Sequence, residues 1–543
     1  MTDSDNSTFQ SSNSQKSFKK DSPVYIVGGG LAGSECAWQL AELGHKVILI
    51  EMRGVQTTPA HKTDHLAELV CSNSLGSNTN YSSTGQLKWE AEKLNSLILK
   101  AAKESSIPAG MALGVDRTVF AQSITTAITS HPNITVERRL VNSINEVPRP
   151  TVIATGPLTH ELLANSIREH LSSYGEKEEI YDSNDPRVKP PKNDFLYFYD
   201  AIAPIIDVDS INMEIAWRGN RFDQQSETHE KPLNEESSER GDYINCPLSK
   251  DEYFQFIDAV EKARKIEPKD FEKINYFDGC MPIEAMVERG RLTLKCGPMS
   301  SNGLRDPRTG LIPYAAVQLR QENLAGTCYN MVGFQTKMAY GDQKEVFRLI
   351  PGLENAEFLK LGSVHRNLYI HSPRKLSPRL SSITDPWLFF AGQITGVEGY
   401  FDSTCIGLLV ARILNEQLNQ LEKETNIEKA NNLQDPSTLL NETDLAIPPR
   451  STALGSLLNA ITEPKKHFQP TNINFGLFPP LDMKSPEKQD YLEYNLENTK
   501  TNISDMNQLH IKDQKRNLQI ARAKIDFTKW FNRGVKNGEI KNT

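Results

Sequence analysis

Regular patterning begins at Val24. Val24-Tyr25-Ile26-Val27 is a continuous apolar run of the length of a buried strand. Gly28 to Gly33 interrupts it. From Ser34 to Leu43 apolar residues return at helical spacing, with Ala37, Leu40 and Ala41 on one side and Gly44 as the stop. Val47 to Ile50 is a second strand, closed by Glu51. Strand, Gly-rich turn, helix and strand make a βαβ unit, which lays two strands parallel. The strand-then-turn pattern recurs at Thr151–Gly156 and at Trp387–Gly392, and an apolar helix is predicted over Ile406–Leu414.

Polar stretches punctuate these elements. Residues 1–21 carry only Met1, Phe9 and Phe18 as large apolar side chains, with no apolar core or Arg-rich face of a targeting peptide, and read as a disordered tail. Asp223 to Arg240 has Leu233 as its one large apolar residue and reads as a disordered loop. Residues 422–449 read as a polar linker, and 483–543 as a polar, partly helical tail in which Leu518, Ile520 and Ile525 look too sparse for a core. The expected fold class is α/β, a Rossmann-type two-dinucleotide fold. Its discontinuous larger domain spans 22–200 and 331–482, with an inserted α+β domain at 201–330.

Composition narrows the class. The chain has 543 residues, enough for several domains. Sixty-one Lys and Arg against 69 Asp and Glu give a net charge of −8, which excludes a globally basic nucleic-acid coat protein and leaves a local basic patch open. No apolar run approaches the ~18 residues of a membrane helix. Seven cysteines without CxxC spacing argue against a disulfide scaffold, a zinc ribbon or a dithiol redox motif, and point to the reducing cytoplasm.

Gly28, Gly30 and Gly33 form G-x-G-x-x-G between a strand and a helix. The first Gly permits the tight turn, the second lets a pyrophosphate approach the backbone, and the third lets helix and strand pack closely. Gly29, Leu31 and Ala32 complete the turn whose free N–H groups face the phosphates. Glu51 lies 18 residues after Gly33, at the distance of a ribose ligand, and Arg53 follows it. FAD, NAD and S-adenosylmethionine all use such an opening. Thr151–Gly156 and Leu388–Gly392 favour FAD, because they resemble the "ATG" and "FAG(D)" strands of two-dinucleotide-fold flavoproteins. Gly156 and Gly392 are thereby candidate flavin contacts, and Gln393 stands where those proteins usually carry an acid.

Several stretches together carry a family likeness: Ile26–Glu35 (IVGGGLAGSE), His61–Leu75 (HKTDHLAELVCSNSL), Phe277–Glu284 (FDGCMPIE), Asp306–Gln321 (DPRTGLIPYAAVQLRQ), Ala391–Tyr400 (AGQITGVEGY) and Phe468–Pro480 (FQPTNINFGLFPP). Over about Val24 to Leu481 the chain resembles the bacterial folate- and FAD-dependent tRNA uracil-5 methyltransferases. Phe401-Asp402-Ser403-Thr404 departs from that family's V-E-S-type run, and Met111 stands where a Gly is common. The resemblance implies methylenetetrahydrofolate as carbon donor, NAD(P)H as reductant, uridine 54 of the tRNA T-loop as target, and two active-site cysteines, Cys280 and Cys71. The alternatives are a wobble-uridine modification flavoprotein, a generic flavin oxidoreductase and a non-enzymatic RNA-binding scaffold.

The chemistry gives the cysteines a reason. Uracil C5 is a poor nucleophile until a thiolate adds at C6. Pro282, Glu284 and Gly290 outline a helix starting just after Cys280, and a helix N-terminus favours thiolate over thiol. Cys71 follows an apolar stretch and precedes Ser72-Asn73-Ser74, and the resemblance gives it the part of base or flavin-adduct partner. Cys36, Cys246, Cys296, Cys328 and Cys405 read as structural. Between Glu288 and Arg320 six basic residues stand against two acidic ones. Arg289, Arg291, Lys295, Arg305 and Arg308 are therefore candidate tRNA contacts, with Tyr314 as a stacking face. His61 and His65 flank Asp64 without further ligands nearby, so they read as a polar wall or folate contact; no metal is expected.

Overall fold

The computed structural model describes residues 22–58, 60–172, 195–222, 241–266, 281–430, 446–465, 468–481, 490–494 and 511–536. The predicted tail 1–21, the loop 223–240 and Cys280 lie outside the described residues.

The apolar runs assemble into a five-stranded parallel sheet in the order Leu388–Phe390, Thr151–Ile153, Val24–Val27, Val47–Glu51, Ile134–Arg138. All the residues of Thr151–Ile153 and Leu388–Phe390 are buried, as expected of strands covered on both faces. The helix Leu31–Glu42 packs against the long helix Tyr400–Ala430, which contains the predicted 406–414 and runs on into the stretch read as linker. No helix of the described residues is long and apolar enough to cross a membrane.

A second hydrophobic core surrounds a six-stranded antiparallel sheet, in the order Trp217–Arg218, Tyr243–Leu248, Ala315–Gln321, Cys328–Met331, Ile205–Asp207, Phe358–Lys360. Helices Lys250–Lys262, Ile283–Arg289 and Tyr340–Phe347 pack on it. The expected return to the dinucleotide half at 331 is corrected: Phe334, Met338, Phe347, Ile350 and Leu353 are all fully buried in this second core. The chain leaves and re-enters the first unit through two paired antiparallel strands, Phe195–Ile202 and Ser363–Ile370. An insertion has to exit beside its entry, and that pairing sets its end near 362.

The C-terminal reading is corrected as well. Helix Ile511–Lys536 packs into the first core through Ala523, Phe527 and Trp530. The Phe527 ring meets Trp89 edge-on at 5.6 Å and lies 5.3 Å from Trp530. Ile520, Ala523, Phe527 and Trp530 recur at helical spacing, and the two aromatics supply the area that the aliphatic count left out.

Candidate active site

The sheet puts the Gly-rich turn over its carboxyl edge. Gly28 has φ +102°, and a Cβ there would fall 2.6 Å from the Ala154 carbonyl oxygen. A Cβ on Gly33 would fall 1.8 Å from the Gly28 oxygen, so helix and strand meet at a distance that only glycine permits. Above Gly30, at the N-cap of Leu31–Glu42, a Cβ would meet nothing within 4 Å. A cleft of about 570 Å³, its open mouth included, begins here and is lined by Gly28, Gly30, Glu51, Arg53, His61 and Thr155. Leu31 and Ala32 are buried in the helix's first turn. Gly156 and Gly392 open the short turns after Thr151–Ile153 and Leu388–Phe390, both at positive φ. These residues fit a dinucleotide pyrophosphate.

Glu51 is more committed than its spacing suggests. Its Oε2 accepts from the Gly29 N–H at 2.7 Å and Arg53 Nη2 at 3.1 Å. Its Oε1 accepts from the Arg53 N–H at 2.9 Å and Nε at 3.1 Å. Burial pushes its pKa up, but the Arg53 bonds and charge outweigh burial and hold it below the usual carboxylate range. All four of its acceptor positions are occupied, so a ribose hydroxyl must replace one of these bonds. His61 faces the same cleft, and burial with the Arg53 charge lowers its pKa to about 4, leaving a neutral imidazole at pH 7. Gln393 donates to Glu398 at 3.0 Å.

Half-buried Cys71 sits on the seam between the two units. Its N–H donates to the Tyr400 hydroxyl at 2.6 Å. Arg117 donates to the carbonyls of Leu69 and Cys71 at 2.8 and 2.7 Å and pairs with buried Glu322 of the second unit at 2.6 Å. Lys360 donates to the Val70 carbonyl at 3.1 Å. Arg320, also of the second unit, is buried and donates through Nε to Asn73; among the described residues its other two nitrogens have no hydrogen-bond partner. Burial lowers the pKa of both Arg320 and Lys360, and the Cys71 thiol lies within electrostatic reach of Arg117, Arg320 and Lys360. Beneath this loop, Lys88 donates to the Leu75 and Ser77 carbonyls, each at 2.8 Å, and lies 5.0 Å over the Phe401 ring. Burial lowers the Lys88 pKa to about 8 and raises that of its neighbour Asp402 to about 6.

The helix expected after Cys280 is present: Pro282 is its N-cap, Ile283–Arg289 its body and Gly290 its C-cap. Met281 and Glu284 are buried, and the Glu284 carboxylate accepts from Thr336 and from the Lys337 N–H. Tyr400, Arg117, Arg320, Glu322 and Lys360 were not singled out from the sequence. Tyr400 stands in the Ala391–Tyr400 stretch and Arg320 in Asp306–Gln321, but only the seam gives them a shared neighbour.

The basic window of 289–308 is largely spent on the protein itself. Arg291 pairs with Asp258 and lies 3.6 Å from Glu261, both outside the counted window. Arg308 pairs with Asp306 at 2.9 Å and donates to the Glu214 and Ile215 carbonyls. Arg305 donates to the Gly310 carbonyl, Lys295 lies 4.7 Å over the Tyr314 ring, and Arg289 also has a partner. Cys36, Cys246 and Cys405 are buried as expected, whereas Cys296 is exposed at the end of helix Thr293–Cys296.

Comparison with known proteins places this architecture. The family model described as glucose inhibited division protein A matches residues 23–422. The chain is 56% identical over 467 residues to a methylenetetrahydrofolate--tRNA-(uracil-5-)-methyltransferase TrmFO of Bdellovibrio bacteriovorus, covering 86% of this chain and 93% of that one. It is 43% identical over 526 residues to the protein of the same name in Bartonella bacilliformis, covering 95% and 99%. A solved GidA structure from Aquifex aeolicus superposes with a TM-score of 0.55 at 13% identity, over 96% of this chain and 90% of that one, a likeness of fold. A Gly-rich dinucleotide turn and relatives this similar over nearly their whole length agree: the chain belongs to the glucose inhibited division protein A family, among its methylenetetrahydrofolate--tRNA-(uracil-5-)-methyltransferases, TrmFO.

Proposed function

We propose that this protein methylates C5 of uridine 54 in the tRNA T-loop, in the cytoplasm, with methylenetetrahydrofolate as carbon source and NAD(P)H as reductant. The observation that carries the reading is the Cys71 seam. A thiol lies there among Arg117, Arg320 and Lys360, next to the Tyr400 helix that follows the late Gly392 turn. FAD, held by Gly28–Gly33, Glu51 and Arg53, supplies hydride when bound and reduced.

The rest of the chemistry falls to the chain's own groups. The Cys280 thiolate forms a bond to uracil C6, and the C5–C6 π pair moves onto O4. C5 thereby becomes nucleophilic and bonds to the donor's one-carbon unit. Cys71, as base, then takes the C5 proton as the one-carbon unit's bond to the donor nitrogen breaks, which leaves an exocyclic methylene on C5. Hydride added to that carbon makes the methyl group, and the electron pair pushed onto the ring returns to break the C6–S bond and release the Cys280 thiolate. Arg320 offers N–H donors to negative charge generated at the seam. The target base has to leave its stack to reach this point, at a cost of about a few kcal/mol.

The test uses purified protein, unmodified tRNA transcript, methylenetetrahydrofolate and NADPH, with nucleoside mapping. The expected product is 5-methyluridine at position 54, absent from a transcript carrying C54. Cys280→Ala is expected to retain yellow flavin and make no product. Product at the wobble position, or NADPH turnover indifferent to tRNA, would refute the reading; methylation by Cys280→Ala would move the nucleophile elsewhere.

A further inference from the structure

The chain carries −8 overall, yet its substrate in the reading above is a polyanion, and in the basic window around 289–308 both Arg291 and Arg308 are paired internally. A longer run of unpaired charge lies elsewhere. Between Ile511 and Lys536 the C-terminal helix has eight Lys and Arg against two Asp. Asp513 is taken by Arg516 at 3.3 Å, and Asp526 accepts the Ser451 hydroxyl at 2.5 Å. Exposed Lys515, Lys529 and Arg533 have no ion pair among the described residues. At 100° per residue these three fall on one side of the helix, and at 1.5 Å per residue they span about 27 Å.

The same helix reaches toward the active-site seam. Lys515, Arg516 and Gln519 line an open cleft with Ser83 and with Asn474-Phe475-Gly476. The Arg516 guanidinium sits 5.3 Å over the half-buried Phe475 ring. One residue before that cleft segment, the Ile473 N–H donates to Asp402 at 2.6 Å, two residues beyond the Tyr400 that holds Cys71. The basic face of the helix therefore meets an aromatic–guanidinium platform in a cleft whose next residue, Ile473, is bonded to the helix that carries Tyr400.

We infer that the exposed face of helix 511–536, with the Phe475–Arg516 cleft, is an RNA-contact surface that holds the sugar–phosphate backbone of the substrate tRNA outside the catalytic seam. This rests on the proposed tRNA reading. Its chemistry fits RNA better than a membrane, because Phe527 and Trp530 point into the core and the outward residues Lys515, Thr528, Lys529, Asn532 and Arg533 are all polar. An aromatic ring beside cations also suits nucleotides, which offer both a stacking face and a phosphate.

The test compares the parent with a triple variant, Lys515→Gln, Lys529→Gln and Arg533→Gln, all at exposed positions. The dissociation constant for tRNA is measured from 0.05 to 0.3 M salt. Each lost phosphate contact lowers the slope of log K against log salt by about 1, so the variant is expected to be shallower by about 2 to 3 and to bind about tenfold or more weakly at 0.15 M salt. Flavin content and tRNA-independent NADPH oxidation are expected to match the parent. Phe475→Leu is expected to weaken binding with the slope unchanged. A triple variant with the parent's affinity and slope overturns the inference, whereas a parent that does not methylate tRNA overturns the underlying functional reading instead.

Discussion

Replacing Arg117 by Met removes the cation that ties the two units together at Cys71. The side chain makes three close contacts: 2.6 Å to Glu322, 2.8 Å to the Leu69 carbonyl and 2.7 Å to the Cys71 carbonyl. Glu322 is 4% exposed, and its Oε1 already lacks a partner among the described residues, so without Arg117 its charge is left buried and poorly compensated. Removing one member of such a pair costs about 3–5 kcal/mol, a large share of the ~5–15 kcal/mol that holds a domain folded. Arg117→Met/Glu322→Gln removes the stranded charge, so its loss is expected to be smaller than the sum of the single losses. Activity falls for a separate reason: the Cys71 loop loses two backbone tethers, one at Leu69 and one at Cys71 itself, and displacement by about 1 Å costs about a hundredfold in kcat. Urea titration followed by circular dichroism measures the first effect and methylation kinetics the second. A single-variant loss under about 1 kcal/mol with full activity, or strict additivity in the double variant, would refute this account of the seam.

Three further outcomes follow from particular contacts. Gly33→Ala drives a Cβ into the Gly28 carbonyl and is expected to abolish flavin binding, read as loss of yellow absorbance in folded protein; a variant that keeps flavin places the pyrophosphate elsewhere. Burial raises the Glu90 pKa to about 7, against the bonds it accepts from Gln86 and from the Leu454 and Ala453 N–H groups. The folded state thus binds a proton more tightly than the unfolded one, so this contribution to stability is full below about pH 4.5 and is lost as pH rises through about 7. Glu90→Gln is expected to lose less stability than the parent between pH 5 and pH 8, and equal losses would contradict it. Phe527→Ala opens a cavity beside Trp89 and Trp530 and is expected to cost about 3–5 kcal/mol in denaturant titration; a change under about 1 kcal/mol would mean that the C-terminal helix is not part of the core.

The nucleotide-binding half was legible because its information is local. A four-residue apolar run, three glycines at fixed spacing, a short helix and a second run can satisfy their backbone groups only as βαβ, and a Cβ on Gly33, which would fall 1.8 Å from the Gly28 oxygen, shows why that position is glycine. The helix after Cys280 was legible for the same reason, from a Pro and a Gly that bracket it. What the sequence could not rank was charge. Arg291 and Arg308 look free along the chain but are neutralised in space, Arg291 by the distant Asp258, while the basic residues of 511–536 gained an exposed face only once Phe527 and Trp530 turned the other face inward. The insertion's end near 362 likewise depended on the pairing of Phe195–Ile202 with Ser363–Ile370 across more than 150 residues. Periodicity and turn chemistry act over a few residues and are written in the chain. Ion pairing, burial and the meeting of Cys71 with Tyr400, Arg117 and Lys360 act across a low-dielectric interior between remote segments, and only the folded arrangement decides them.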